Sequence, residues 1–217
     1  MTRWLNCRFS QHSLAVIASV WLIPCAVFVS GSPASAAAPV IGDPAPDFTA
    51  TDSHGQTQSL SSHKGSVVVL EWTNHECPYT AKHYEAGAMQ ALQRDATQRG
   101  IVWLSVISSA PGRQGYVTPK QANDLTESRD ASPTAVILDP SGVIGRQYDA
   151  TATPHMYVID ASGRLVYMGA IDDDPSARGN PDDASNYVRA AIDDVLAGRP
   201  VATSKTRAYG CSIKYGS

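Results

Sequence analysis

Apolar positions along the chain fall into two periodic patterns that follow one another in order. Largely apolar runs, typical of buried strands, occupy residues 67–72, 101–107 and 134–138. After the first run, residues 81–99 carry apolar side chains at helical intervals, and after the second, Thr118 and Pro119 open a short helix ending near Arg129. The pattern predicts consecutive strand–helix units of the α/β class.

Shorter segments complete the predicted fold. Residues 44–52 and 56–60 form an edge hairpin across a Ser-His-Gly turn, and residues 156–160 and 165–170 form a late hairpin. A last helix is predicted over residues 183–197. Strands that alternate with helices before a late hairpin indicate a mixed central sheet with helices on both faces.

The first 36 residues have the composition of a cleavable secretory signal. Arg3 and Arg8 precede an almost wholly apolar stretch, residues 14–29, and small residues follow at 34–36. The stretch is shorter than the roughly 20 residues of a membrane-spanning helix. We therefore expect an exported protein, periplasmic or extracellular, that keeps no stable membrane anchor after cleavage.

The mature chain then comprises one domain, residues 37–200, and a tail, residues 201–217. Loss of the leader lowers the basic count from 17 to 15 against 20 acidic residues, so the mature net charge is about −5. This charge disfavours nucleic-acid binding. A chain of roughly 180 residues buries a full hydrophobic core and needs no disulfide framework.

Cleavage also decides which cysteines remain. Cys7 and Cys25 leave with the leader, and Cys77 and Cys211 stay as an even pair in an oxidising compartment. Pro24 before Cys25 and the apolar residues after it disfavour lipid attachment there.

Cys77 is the candidate nucleophile. It follows the strand of residues 67–72 after a short turn, and Pro78 next to it is a favoured first helical residue. A sulfur at a helix N-terminus lies near unpaired N–H groups, which favour the thiolate. The alternative is a buried structural thiol, a common state for free cysteine.

Several neighbours could assist this sulfur. A charged imidazole of His75 or His155 would favour the thiolate. Thr80, one helical turn on, can donate its hydroxyl to the sulfur or bond its own backbone instead. Trp72, at the end of the strand, is predicted to pack beneath the site.

Cys211 lies in the tail, beyond the last predicted element. It could act as a resolving thiol that attacks an oxidised Cys77 and forms an intramolecular disulfide. The alternative is a static disulfide that ties down the tail.

The order of elements, Trp72 followed by a turn and Cys77-Pro78, and Thr153-Pro154 ahead of a strand resemble the thioredoxin-like superfamily, in its secreted redoxin branch. The resemblance covers about residues 41–199. It implies a thioredoxin fold with Cys77 at the active-site helix and Pro154 as a cis-proline facing it. Pro154 would shape a substrate groove, where the carbonyl before it receives an extended peptide.

The motifs depart from two branches of that superfamily. Disulfide reductases have a second cysteine where Cys77-Pro78-Tyr79-Thr80 ends in Thr80. Peroxiredoxins have a threonine three residues before the cysteine, whereas Thr73 is four before, and they have an arginine about where Pro154 and His155 stand. Thiol–disulfide exchange and peroxide reduction therefore both remain open.

The sequence predicts an exported thiol-dependent oxidoreductase that needs no cofactor or metal. Its partners would be a protein disulfide or thiol, or a peroxide, together with a separate thiol electron donor. Two other functions remain open. Cys77 with His75, His83 or His155 could bind a soft metal such as Cu(I), or the domain could be a redox-inactive scaffold.

Overall fold

The structure, a computed structural model, describes residues 38–216. The predicted leader and its cleavage site lie outside the described residues, so export remains a prediction. Within residues 38–216, no helix is both long enough and apolar enough to cross a membrane.

A five-stranded mixed sheet forms the centre of the domain. In spatial order its strands are β5 (Ala135–Leu138), β4 (Val102–Ile107), β3 (Val68–Trp72), β7 (His155–Ile159) and β8 (Leu165–Gly169). Strands β3, β4 and β5 run parallel, and β7 is antiparallel to both β3 and β8. The predicted buried strands and the late hairpin are confirmed.

The edge hairpin is also present. Its strands, β1 (Thr49–Thr51) and β2 (Thr57–Ser59), pair antiparallel and are shorter than predicted. Backbone bonds hold its turn, where the Gly55 N–H donates to the Asp52 carbonyl at 3.0 Å.

Within residues 38–216, five α-helices accompany the sheet: α1 (Pro78–Glu85), α2 (Ala88–Gln98), α3 (Pro119–Ser128), α4 (Val143–Gln147) and α5 (Tyr187–Leu196). Helix α3 begins as predicted, because the side chain of Thr118 accepts from the Gln121 N–H while the Gln121 side chain bonds back to Thr118. Helix α4 was not predicted; it is only five residues long and follows Gly142.

The prediction of one helix over residues 81–99 is wrong. The chain makes two helices there, α1 and α2, separated at Gly87, which has a φ of +75°. Gly87 tolerates this left-handed conformation because it lacks a Cβ. The Gln90 amide then donates to the Tyr84 carbonyl at 2.9 Å and satisfies a group at the end of α1.

The last helix begins four residues later than predicted. Asn186 is its N-cap and accepts from the Arg189 N–H, while Pro181–Asp183 form a separate 3-10 turn. Its buried residues, Val188, Ala191 and Ile192, pack with α2 against one face of the sheet.

The core has two layers, one on each face of the central sheet. Strand β3 is buried along its whole length and contributes to both. One layer includes Phe48, Leu70, Trp72, Ile137, Tyr157 and Ile213, and the other includes Val69, Met89, Trp103, Met156, Tyr167 and Ile192. The predicted two-sided sheet is therefore confirmed, and the far end of the tail joins the core through Ile213.

The sequence suggested a tail that lies apart from the sheet and helices, but the tail packs against the domain. After α5 it crosses the domain and forms β9 (Cys211–Ser212), which pairs antiparallel with β6 (Ala152–Thr153). Beyond β9, the Tyr215 hydroxyl donates to the Ala150 carbonyl at 2.7 Å. The segment that carries Cys211 is thus fixed against the segment that precedes Pro154.

Candidate active site

Cys77 stands at the junction that the sequence indicated. It is the N-cap residue of α1, and Pro78 is the first helical residue. The turn from β3 is held by Asn74, whose carbonyl accepts from the Cys77 N–H at 3.1 Å and whose side-chain oxygen accepts from the Glu76 N–H at 2.9 Å. The helix N-terminus is therefore built around this thiol.

The Cys77 sulfur is closed to water in this conformation. Cys77 is 0% exposed. Its thiol donates to the Thr153 carbonyl, a backbone oxygen, at 3.0 Å. The sulfur is therefore buried and has a polar contact at the same time.

The Thr153–Pro154 peptide bond is cis, as the resemblance implied. The Thr153 carbonyl just before Pro154 is the group that meets the Cys77 thiol. The same segment, β6, is the one that pairs with the tail. The short strand β6 therefore accepts a hydrogen bond from Cys77 through a carbonyl and also pairs with β9.

Cys211 is brought to this place by the pairing of the two short strands. It lies opposite Thr153 in the β6–β9 register, and the Thr153 hydroxyl donates to the Cys211 carbonyl at 3.4 Å. Both cysteines are free thiols in this structure. The two thiols are close enough that each shifts the pKa of the other.

Gly210 makes the close approach of the tail possible. It has a φ of +134°, and a Cβ at this position would lie 2.0 Å from the Thr153 carbonyl oxygen. A side chain here would collide with rigid backbone, so glycine is required for β9 to dock.

Opposing effects set the pKa of the Cys77 thiol. Burial raises it, but the Cys211 thiol, Thr153 and the Thr80 backbone N–H outweigh burial and leave it below its ordinary value. The Thr80 N–H acts without completing a full N-cap hydrogen bond. The contact to the Thr153 carbonyl, in contrast, suits only the protonated thiol, because a thiolate has no proton to donate.

Cys211 has the opposite shift. Burial, the hydrogen bond to Cys77 and the negative charge of Cys77 raise its pKa to about 11. The pKa shifts of the two thiols therefore have opposite directions, so Cys77 ionises before Cys211.

Ultraviolet absorbance of the thiolates should show this order. We expect the reduced protein to titrate in two steps, with Cys77 below the ordinary thiol value of about 8.5 and Cys211 near pH 11. In a Cys77→Ser variant the Cys211 step should move to lower pH, because a negative neighbour is gone. A single step near the ordinary value, or a Cys211 that ionises first, would contradict this assignment.

Neither predicted histidine can supply a positive charge to the sulfur at neutral pH. Burial lowers the pKa of His155 to about 4, and its Nδ1 lies 3.2 Å from the Tyr157 hydroxyl. Burial likewise lowers the pKa of His75 below its ordinary value. The negative charge of Glu76 opposes this shift, and the positive charge of Arg129 adds to it. His75 lines a small cavity with Tyr84 and Arg129. At neutral pH both histidines are therefore uncharged and do not favour the Cys77 thiolate.

Thr80 acts through its backbone and not through its hydroxyl. The side chain is 0% exposed, and its Oγ1 has no hydrogen-bond partner among the described residues. Trp72 packs in the core where β3 ends, with its indole N–H donating to the Ser108 hydroxyl at 3.0 Å. Its ring centre lies 5.1 Å from that of Tyr157.

Sequence reasoning overlooked Glu71, which precedes Trp72 on β3 and is 0% exposed. Burial raises the pKa of its carboxyl, while four side-chain donors oppose that shift. The donors are Trp103 at 2.8 Å, Ser105 and Tyr84 at 2.9 Å, and Gln93 at 3.1 Å. A single acid inside an otherwise apolar strand was the signal that could have found it.

The histidines of the copper alternative do not gather around Cys77. His83 is 1% exposed, and its Nε2 lies 3.9 Å from an Asp172 carboxylate oxygen. Across residues 38–216, no group of three or more His, Cys, Asp or Glu side chains is arranged to hold a metal ion.

Comparison with known proteins points to one family. Residues 41–168 match the profile of the AhpC/TSA family. The search of curated proteins found no match.

Solved structures resemble the whole described domain. A hypothetical protein from Sinorhizobium meliloti 1021 is 26% identical, with a TM-score of 0.73 over 83% of this chain and 97% of that one. An uncharacterized conserved protein from Geobacillus kaustophilus is also 26% identical, with a TM-score of 0.70 over 82% and 93%.

A more distant likeness supports the fold alone. A solution structure from Bacteroides thetaiotaomicron, described as a candidate protein disulfide isomerase, is 19% identical with a TM-score of 0.53 over 73% of this chain and 91% of that one. The central sheet, the helix at Cys77 and the cis-proline make this a thioredoxin fold.

Proposed function

Because the chain belongs to the AhpC/TSA family, we propose that it is a thiol-dependent oxidoreductase in which Cys77 and Cys211 alternate between dithiol and disulfide. One observation carries the proposal: Cys211 lies opposite Thr153, and the Thr153 carbonyl accepts from the Cys77 thiol. A reactive thiol with a lowered pKa and a second thiol beside it are the two parts that such a cycle needs.

The oxidant that best fits this arrangement is a small hydroperoxide. Strand β9 occupies the edge of β6 beside Pro154, and Cys77 is 0% exposed. An extended peptide cannot use that edge while the tail is paired there, whereas a small molecule needs only a slight opening. This favours peroxide reduction over exchange with a protein disulfide.

The oxidative half of the cycle has two steps. The Cys77 thiolate attacks one oxygen of the hydroperoxide, the O–O bond breaks, and Cys77 sulfenic acid and an alcohol or water form. The Cys211 sulfur then attacks the Cys77 sulfur, loses its proton and expels hydroxide, which leaves as water. The peroxide is reduced by two electrons, and the two thiols become one disulfide.

Exchange with a protein disulfide is the second candidate, and it requires the tail to detach. The Cys77 thiolate would then attack one sulfur of the substrate, release the other as a thiolate, and be freed from the mixed disulfide by Cys211. The absence of a cysteine at Thr80 makes Cys211 the resolving thiol in this route as well.

Reduction requires an external dithiol donor. Cys211 is partly exposed and Cys77 is buried, so the donor thiolate attacks the Cys211 sulfur. Cys77 then leaves as the thiolate, which its lowered pKa favours. The second donor thiol releases Cys211 and leaves the donor as a disulfide.

The leader, residues 1–36, supports a periplasmic or extracellular site for this activity, with an exported thiol protein as the electron donor. The net negative charge gives no support to a nucleic-acid partner. No step of the cycle uses a metal or cofactor.

A trapping experiment tests the peroxide route. We expect a Cys211→Ser variant treated with one equivalent of hydrogen peroxide to accumulate a sulfenic acid at Cys77 that dimedone labels. The parent should give little label, because Cys211 consumes the sulfenic acid. Equal lack of label in both, with both thiols of the parent unreacted, would remove peroxide as the substrate.

A further inference from the structure

Tyr209, two residues before Cys211, connects the tail to the helix that carries Cys77. Its hydroxyl donates to the Asp172 carboxylate and lies 3.4 Å from the His83 Nε2. His83 belongs to α1, which begins next to Cys77. The tail is thus attached to the same helix whose first turn surrounds the reactive sulfur.

The aromatic ring of Tyr209 makes further contacts with α1. The Lys82 ammonium lies 5.4 Å from its centre, within the range of a cation–π contact, and the ring of Tyr79 lies 6.0 Å away. Lys82 is itself held by the Asp174 carbonyl at 2.8 Å. Three residues of one helix therefore surround a single tail side chain.

The hydrogen bond to Asp172 is the strongest link in this group. Asp172 is 2% exposed, and burial raises its pKa while the Tyr209 hydroxyl and the Lys82 charge act to lower it. One of its carboxylate oxygens has no hydrogen-bond partner among residues 38–216. Hydrogen bonds to charged groups contribute more to stability than hydrogen bonds between neutral groups.

We propose that Tyr209 is a positioning residue that holds Cys211 beside Cys77 and so favours their disulfide. Only Gly210 separates it from Cys211. If the Tyr209 side chain is released, the backbone that carries the Cys211 thiol can therefore move as well. The tail beyond Cys211 has its own attachment through Tyr215. On the other side of Cys211, Tyr209 is the attachment nearest to the thiol in sequence, and Thr206 bonds the sheet further upstream.

Loss of the Tyr209 hydrogen bond should affect the disulfide and the dithiol differently, and this difference shifts the redox equilibrium. In the disulfide, the covalent bond keeps the tail in place whether or not Tyr209 is anchored. In the dithiol, loss of the anchor lets this part of the tail separate and gain conformational freedom. Removing the hydroxyl therefore stabilises the reduced state relative to the disulfide.

The experiment equilibrates the protein in glutathione redox buffers and measures the fraction of Cys77–Cys211 disulfide by mass spectrometry after acid quench. For Tyr209→Phe, which keeps the ring, we expect the equilibrium constant for the disulfide to fall about tenfold. Asp172→Asn tests the same bond from its other end, should Tyr209→Phe fold poorly. Tyr148→Phe is the matched control, since its buried hydroxyl bonds the Pro46 carbonyl at 2.6 Å and no tail atom.

The inference rests on the proposed function, and the outcomes separate the two. A disulfide in the parent with an unchanged equilibrium constant in both Tyr209→Phe and Asp172→Asn overturns the positioning role alone. An equal fall in Tyr148→Phe also overturns it, because the effect would then be one of general stability. A parent that forms no disulfide in any buffer overturns the proposed function itself.

Discussion

Replacing Cys77 with serine is expected to lower the rate of peroxide consumption by on the order of 1,000-fold or more, to that of protein without a reactive thiol. Serine keeps the size and the helix N-cap position, but its hydroxyl does not ionise at neutral pH, so no nucleophile remains. Because serine is close to cysteine in size, it should fit the buried site, where Cys77 is 0% exposed, and leave the fold intact. Peroxide loss in the presence of excess dithiothreitol, followed at several pH values, measures the effect.

The control for this variant is Cys211→Ser. With dithiothreitol present, it should keep part of the activity, since a small thiol can reduce the Cys77 sulfenic acid directly. The parent rate should rise with pH through the lowered pKa of Cys77 and then level off. A Cys77→Ser variant as active as the parent would end the peroxide and disulfide-exchange mechanisms together.

Replacing Gly210 with alanine is expected to detach strand β9 and to lower the yield of the Cys77–Cys211 disulfide by at least about tenfold. The new Cβ would lie 2.0 Å from the Thr153 carbonyl oxygen, and the φ of +134° is strained for any L-residue with a side chain. The backbone of the tail must therefore move away from Thr153. Detachment uncovers Cys77, so its alkylation by iodoacetamide in the reduced protein should become faster.

Gly198→Ala is the matched control, because Gly198 also has a positive φ, +68°, but nothing lies within 4 Å of its added Cβ. It should lose a little stability and keep both the disulfide yield and the slow alkylation of Cys77. If Gly210→Ala forms the disulfide as readily as Gly198→Ala, docking of β9 on Thr153 does not bring the two thiols together.

The sequence predicted best where short-range chemistry decides the structure. Pro78 after a strand and a turn predicted the start of α1, and Thr118 with Gln121 predicted the start of α3. The break at Gly87 was missed because the apolar spacing continues from α1 into α2, while the glycine that ends the pattern is tolerated inside many helices.

The site was less predictable because its properties depend on contacts between distant segments. Strand β9 has only two residues, and it pairs with β6, where Thr153 precedes its partner Cys211 by 58 positions. A two-residue strand shows no hydrophobic periodicity, so the sequence could not reveal this pairing. The neutral state of His155 follows from burial, which the residue type does not reveal. The role of Tyr209 could not be predicted, because its partner Asp172 belongs to a polar segment whose composition is typical of a solvent-exposed loop.

Non-reducing peptide mapping of the mature protein, before and after one equivalent of hydrogen peroxide, tests the pairing of the two thiols most directly. We predict that oxidation links the peptide containing Cys77 to the peptide containing Cys211 within one chain, and that dithiothreitol separates them. Peptides that stay unlinked while Cys77 is oxidised further to sulfinic acid, or a disulfide found only between chains, would contradict the account.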